Sequence, residues 1–171
     1  MGGDLLFLVS CTEIVSQSVS DQYKKTLVLH ASDLPRGRGW SPHIWSILDG
    51  SDEITVSLLE AAEPVDSGDI WAKKTIVLEG TELYDEINDR LFDAEIELME
   101  WAIDHFSDVT PVRQDGEPTY LRRRTPEDSW IDATRPLDEQ FDLLRVADPV
   151  RFPAIVELRG KKFRLRLDRI D

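Results

Sequence analysis

Three aliphatic residues, Leu27-Val28-Leu29, run directly into His30, and the chain then meets Pro35, Gly37, Gly39 and Pro42 in quick succession. This spacing constrains the fold more than any other feature. A buried strand must end at His30, because the proline and glycine cluster cannot continue it. In open α/β sheets the carboxyl ends of strands are where ligands collect. A side chain that changes charge near neutral pH at such a point is a candidate for chemistry.

The rest of the chain reads as alternating strands and helices. Leu5 to Ser10 is a buried strand, and the stretch before Leu27 is helical or irregular. Ser41-Pro42 signals a helix start, with serine as N-cap, and Gly50 ends that helix. Ile54, Val56 and Leu58 alternate with Thr55, Ser57 and Leu59, the period of a strand with one more exposed face, and Ile70 to Val77 forms a further strand. The longest helix starts at a Thr81 cap and ends near Phe106, with Leu83, Ile87, Leu91, Ala94, Leu98, Trp101 and Ala102 as its apolar stripe. Residues 107–135 lack periodicity, which in a compact domain marks a functional loop or a linker. A short helix from Pro136 and a hairpin turning at Arg159-Gly160 close the chain. The expectation is an α/β core over residues 1–110, mostly parallel with flanking helices, and a C-terminal appendage over 111–171 of linker, short helix and β-hairpin.

Net charge bears on partners. With 34 acidic against 20 basic side chains the chain carries −14, which argues against nucleic acid as the main partner. Arg122-Arg123-Arg124 and the basic residues after Arg159 read as solvated faces rather than a phosphate site. No apolar run has the length of a membrane span, and the amino end lacks a basic signal-peptide region. The single cysteine, Cys11, fits a buried inert thiol in a reducing compartment, so the expected location is cytoplasmic. His43, in the first turn of the short helix, reads as a surface residue with the cleft as its alternative, and His105 as a cation suited to a helix carboxyl end. Three scattered histidines make no zinc site by spacing, so no metal is expected.

The stretches His30-Ala31-Ser32-Asp33-Leu34-Pro35, Arg38-Gly39-Trp40-Ser41-Pro42 and Val65-Asp66-Ser67-Gly68-Asp69-Ile70, with a strand between the last two, resemble the formyltransferase family. The resemblance covers roughly residues 4–106. Arg123-Arg124-Thr125-Pro126-Glu127-Asp128, Ile131-Asp132 and Leu144-Arg145 resemble the segment that follows the core in members acting on amino sugars of nucleotides. It implies a partial Rossmann-like core and formyl transfer from 10-formyltetrahydrofolate, as co-substrate, to a primary amine. Amine attack on a formyl carbon generates an oxyanion that needs positioned donors, and a proton must leave the nitrogen. The resemblance assigns His30 and Asp69 as the catalytic pair. It gives Ala61, Ala62, Asp66, Ser67 and Gly68 to folate binding, and Ser32, Arg38 and Trp40 to the amine substrate. That substrate is expected to be a small molecule, a nucleotide-linked amino sugar, with methionyl-tRNA as the alternative acceptor.

Two departures from the family pattern stand out. Val28 occupies the position where the resemblance implies an asparagine, the second oxyanion donor. Family members also have about three further strand units before the strand matched by Leu5 to Ser10, so a shortened core with an open sheet edge, suited to a homodimer, is expected. Both departures leave a second reading: a non-catalytic formyltransferase fold that binds folate or a partner protein.

Overall fold

The computed structural model describes residues 2–170. Its centre is a four-stranded sheet in the order β1 (Gly3–Val9), β2 (Tyr23–His30), β4 (Glu53–Glu60), β5 (Ile70–Val77), with a short helix α1 (Gln17–Ser20) between the first two. The α/β class with flanking helices agrees with the sequence. Strand direction does not: β1 pairs with β2 in parallel, but β2 with β4 and β4 with β5 are antiparallel. The sheet is mixed rather than mostly parallel because only the β1-to-β2 connection is a crossover. The strand-to-strand link through α2 (Pro42–Leu48) returns the chain in the opposite sense.

Period-two alternation explains the core. Leu27 and Leu29 of β2 with Ile54, Val56 and Leu58 of β4 cluster with Ile44 and Ile47 of α2, and with Ile87, Leu91, Ala94 and Leu98 of α3 (Tyr84–Asp104). The opposite side of β4 is less exposed than the alternation suggests. Ser57 and Leu59 are also buried, and Ser57 donates through Oγ to the Ser32 carbonyl at 2.7 Å. The loop after His30 folds back over that face.

Helix boundaries shift from the sequence expectation for identifiable reasons. Ser41 sits at φ 48° and makes no side-chain cap bond, so the start of α2 rests on Pro42 and its fixed φ. Helix α3 begins at Tyr84, not after Thr81, because Glu82 turns its carboxylate back onto the backbone N–H groups of Glu79 and Gly80. Cys11 is exposed, not buried, since the strand has already ended at Val9.

Beyond the core, β3 (Arg38–Gly39) pairs in parallel with β6 (Tyr120–Leu121). A second small core joins Ile131 of β7 (Trp130–Ile131), Leu144 of α4 (Phe141–Arg145), and Ala154 and Val156 of β8 (Ala154–Leu158). β8 pairs with β9 (Lys161–Leu165) across Arg159 and Gly160, both with positive φ, the geometry of a type I′ hairpin turn.

Glu95 of α3 is 3% exposed, and its Oε2 has no hydrogen-bond partner. Burial pushes this carboxyl up from 4.5 to about 7. Between those values the folded chain holds a proton that the unfolded chain has released, so this group lowers stability as pH rises through the window. Glu95→Gln removes the titration. The variant is expected to match the parent below pH 4.5 and to exceed it above pH 7, by about 3 kcal/mol at most, in urea melts at several pH values. Equal pH dependence in both proteins would refute this.

Candidate active site

β2 ends at His30, in register with Ser57 of β4. The imidazole is buried, with Nε2 at 2.8 Å from the Gly37 carbonyl oxygen. A carbonyl can only accept, so Nε2 carries a proton and donates it. In the neutral ring Nδ1 is therefore the free base, and it faces Asp66 Oδ1 at 3.6 Å.

This geometry corrects the pair expected from sequence. Asp66 is the carboxylate against His30; Asp69 is exposed, and its backbone carbonyl accepts from Glu60 N–H at 2.9 Å. Asp66 takes φ 61°, a left-handed conformation that aspartate tolerates better than most residues. That turn buries its side chain, and Oδ2 accepts the Gly39 N–H at 3.0 Å. One oxygen is thus fixed and the other is left toward the imidazole. Asp69 lies beyond the turn, immediately before β5, where its backbone is committed to the sheet.

A groove of about 1620 Å³ runs along this site, lined by His30, Arg38, Trp40, Ala61, Ala62 and Asp66 of the residues expected from sequence. Ser32, Ser67, Gly68 and Asp69 do not line it. Ser32 Oγ is sealed from solvent with no partner, and Ser67 Oγ donates to the Pro64 carbonyl. Gly68 packs against β4, where a Cβ would lie 1.8 Å from the Glu60 carbonyl oxygen. Gly68 thus permits close backbone packing against β4. Val28 lines the groove beside His30 with no polar atom to offer.

The aperiodic stretch after α3 contributes more than its sequence disclosed. Gln114 accepts from Arg38 Nη2 at 2.6 Å and donates to the carbonyls of Asp66 and Gly68, both at 2.9 Å. Thr119 Oγ1 accepts the Gly37 N–H at 2.8 Å. These bonds clamp the His30 loop to the Asp66 turn. His43 in the first turn of α2 lines the groove, and its Nδ1 is buried without a partner, so it is not a plain surface residue. Burial, then the neighbouring His30 and Arg124, pushes its imidazole down from 6.5 to about 4. The amide and hydroxyl partners carry no periodicity or motif, and only the β3–β6 pairing brings them to the site.

Residues 1–103 match the Formyl transferase family. The methionyl-tRNA formyltransferase of Agathobacter rectalis is 30% identical over 168 residues, covering 95% of this chain and 53% of that protein. The chain spans about half the length of the curated relatives it matches. Among solved structures, HypX from Aquifex aeolicus in complex with tetrahydrofolic acid superposes with a TM-score of 0.83 at 24% identity, over 96% of this chain and 29% of that one. A 4-N formyltransferase from Francisella tularensis gives 0.77 at 21% identity, over 98% of this chain and 72% of that one. Those structures establish the shared fold. With its sequence match extending over both the His30 loop and the Asp66 turn, the chain belongs to the formyl transferase family.

Proposed function

We propose that this chain transfers a formyl group from 10-formyltetrahydrofolate to a primary amine, with His30 and Asp66 as the reacting pair. The observation that carries this reading is an imidazole and a carboxylate buried side by side, Nδ1 to Oδ1 3.6 Å, on the wall of a groove large enough for two ligands. An attacking amine must shed a proton as negative charge grows on the formyl oxygen. His30 Nδ1 takes that proton, since Nε2–H is already given to Gly37. The resulting imidazolium is stabilised by Asp66 Oδ1 while Oδ2 keeps the carboxylate oriented through Gly39, and it would return the proton to the folate nitrogen as the bond from that nitrogen to the formyl carbon breaks, releasing tetrahydrofolate.

Folate would supply the formyl carbon. Ala61 and Ala62, with short side chains that leave the backbone reachable, and the half-open Trp40 ring are the residues that would hold its flat ring system. No helix among the described residues is long and apolar enough to cross a membrane.

For the acceptor we favour an amino sugar on a nucleotide. The net charge of −14 supports a small acceptor over methionyl-tRNA, because a polyanion would meet charge of its own sign. Release of tetrahydrofolate in the presence of 10-formyltetrahydrofolate and either a nucleotide-linked amino sugar or methionyl-tRNA tests this. Turnover with the sugar nucleotide is expected. Faster turnover with methionyl-tRNA would reverse the acceptor. Val28 favours the second reading, a folate-binding module, and normal folate binding without turnover of any amine would establish it.

A further inference from the structure

The buried arginines of this chain, Arg38, Arg124 and Arg145, differ in their partners. Arg145, 3% exposed, meets Asp142 at 2.6 Å and Glu82 at 4.0 Å. Arg122 forms a two-pronged pair with Asp128, and Arg151 lies 2.7 Å from Asp148. Arg38 and Arg124, each 8% exposed, have no carboxylate within 4.0 Å among the described residues, and neither has Arg123. All three line the groove beside His30.

Their hydrogen bonds go to neutral groups. Arg38 donates to Tyr120 Oη at 3.3 Å and Gln114 Oε1 at 2.6 Å. Arg124 donates to the Asp128 carbonyl and Ser129 Oγ at 3.2 and 3.1 Å. These bonds hold Arg38 and Arg124 in place without a carboxylate in direct contact, and the one carboxylate whose field reaches Arg124, that of Asp128, is already paired with Arg122. Burying a cation without a counter-charge is costly, and an acidic chain has carboxylates to spare for it. The sequence expectation of solvated arginines therefore fails at Arg124. Its positive charge also contributes to holding neighbouring His43 neutral. At the rim Arg123 stacks 4.8 Å from the Trp40 ring centroid, and Arg38 lies 5.9 Å from that of Tyr120. A guanidinium beside an aromatic face suits an oxyanion attached near a planar ring.

We propose that Arg38, Arg123 and Arg124 form a binding site for a phosphate group of the small acceptor molecule, which supplies the missing counter-charge. Assigning the phosphate to the acceptor rests on the formyl-transfer reading; the anion site itself does not. Charge-assisted bonds from two or more guanidiniums favour a diphosphate over a single charge. A polynucleotide is disfavoured, since these cations sit in a groove of a chain with net charge −14.

Calorimetric titration of the full chain, without folate, with inorganic pyrophosphate, UDP and uridine tests the site. Pyrophosphate and UDP are expected to bind, uridine at least about tenfold more weakly. Arg123→Gln, at an exposed position, and Arg124→Gln should each raise the Kd for pyrophosphate by about tenfold, with partial recovery in Arg124→Lys. Added salt should shrink these differences. His30→Ala should bind pyrophosphate as the parent does, and a parent chain that binds pyrophosphate but turns over no amine would count against formyl transfer and not against the site. No binding of pyrophosphate, or binding unchanged in Arg123→Gln, would overturn the proposal. It would also be overturned if these variants weakened a folate analogue through its glutamate carboxylates while pyrophosphate failed to compete.

Discussion

Asp66→Asn is expected to lower the turnover number for formyl transfer by about a hundredfold or more, while Asp69→Asn leaves it unchanged. The isosteric amide is chosen because its oxygen can still accept the Gly39 N–H that fixes the carboxylate at 3.0 Å. The turn and the groove wall should therefore survive. What is lost is the negative charge 3.6 Å from His30 Nδ1. An amide nitrogen placed there would donate to Nδ1 and occupy the lone pair that has to receive the amine proton. His30→Ala removes the base itself and should cost at least as much. Binding of a non-reacting folate analogue separates chemistry from architecture. It should persist in Asp66→Asn, so that the loss falls on kcat. If Asp69→Asn were the damaging change, the arrangement at His30 would not be the reacting one. If Asp66→Asn lost folate binding in proportion to activity, its role would be structural.

The sequence placed His30 at a strand end but did not single out the carboxylate that lies beside it. His30 at a strand end could be read directly, because the aliphatic run and the proline and glycine cluster leave the strand nowhere else to stop. The choice between Asp66 and Asp69 could not. Both lie in one six-residue stretch, and which faces inward depends on the turn at Asp66 and the approach of Gly68 to β4. That approach is a long-range property, since the β4–β5 register also shifts between Leu58 and Leu59. Gln114 and Thr119 were hidden for a related reason. A lone amide or hydroxyl in an aperiodic stretch gives no pattern, and their function follows from β6 pairing with β3. The mixed strand directions were missed because alternation identifies a strand and is silent on which way it runs. The hairpin at Arg159-Gly160 was legible since its turn chemistry is entirely local.

Gly68→Ala should be the most damaging single methyl that can be added near the site. The new Cβ would lie 1.8 Å from the Glu60 carbonyl oxygen and 2.7 Å from its carbon, both backbone atoms that cannot rotate away. Relief requires the turn to separate from β4. That movement breaks the Glu60 N–H bond to the Asp69 carbonyl, now 2.9 Å, and strains the Gln114 bonds to Asp66 and Gly68. Overpacking together with lost buried bonds amounts to about 2 to 5 kcal/mol. Gly80→Ala is the control. Gly80 has positive φ but nothing within 4 Å of a Cβ, so only the left-handed backbone is penalised, at about 1 kcal/mol. Urea melts should show a much lower midpoint for Gly68→Ala than for Gly80→Ala. Activity should fall with it even where the chain is fully folded, because displacing the turn moves Asp66 off the Gly39 N–H and away from His30. Equal midpoints for the two variants would mean that the turn yields without cost. In that case the placement of Asp66 could not depend on the contact between Gly68 and β4.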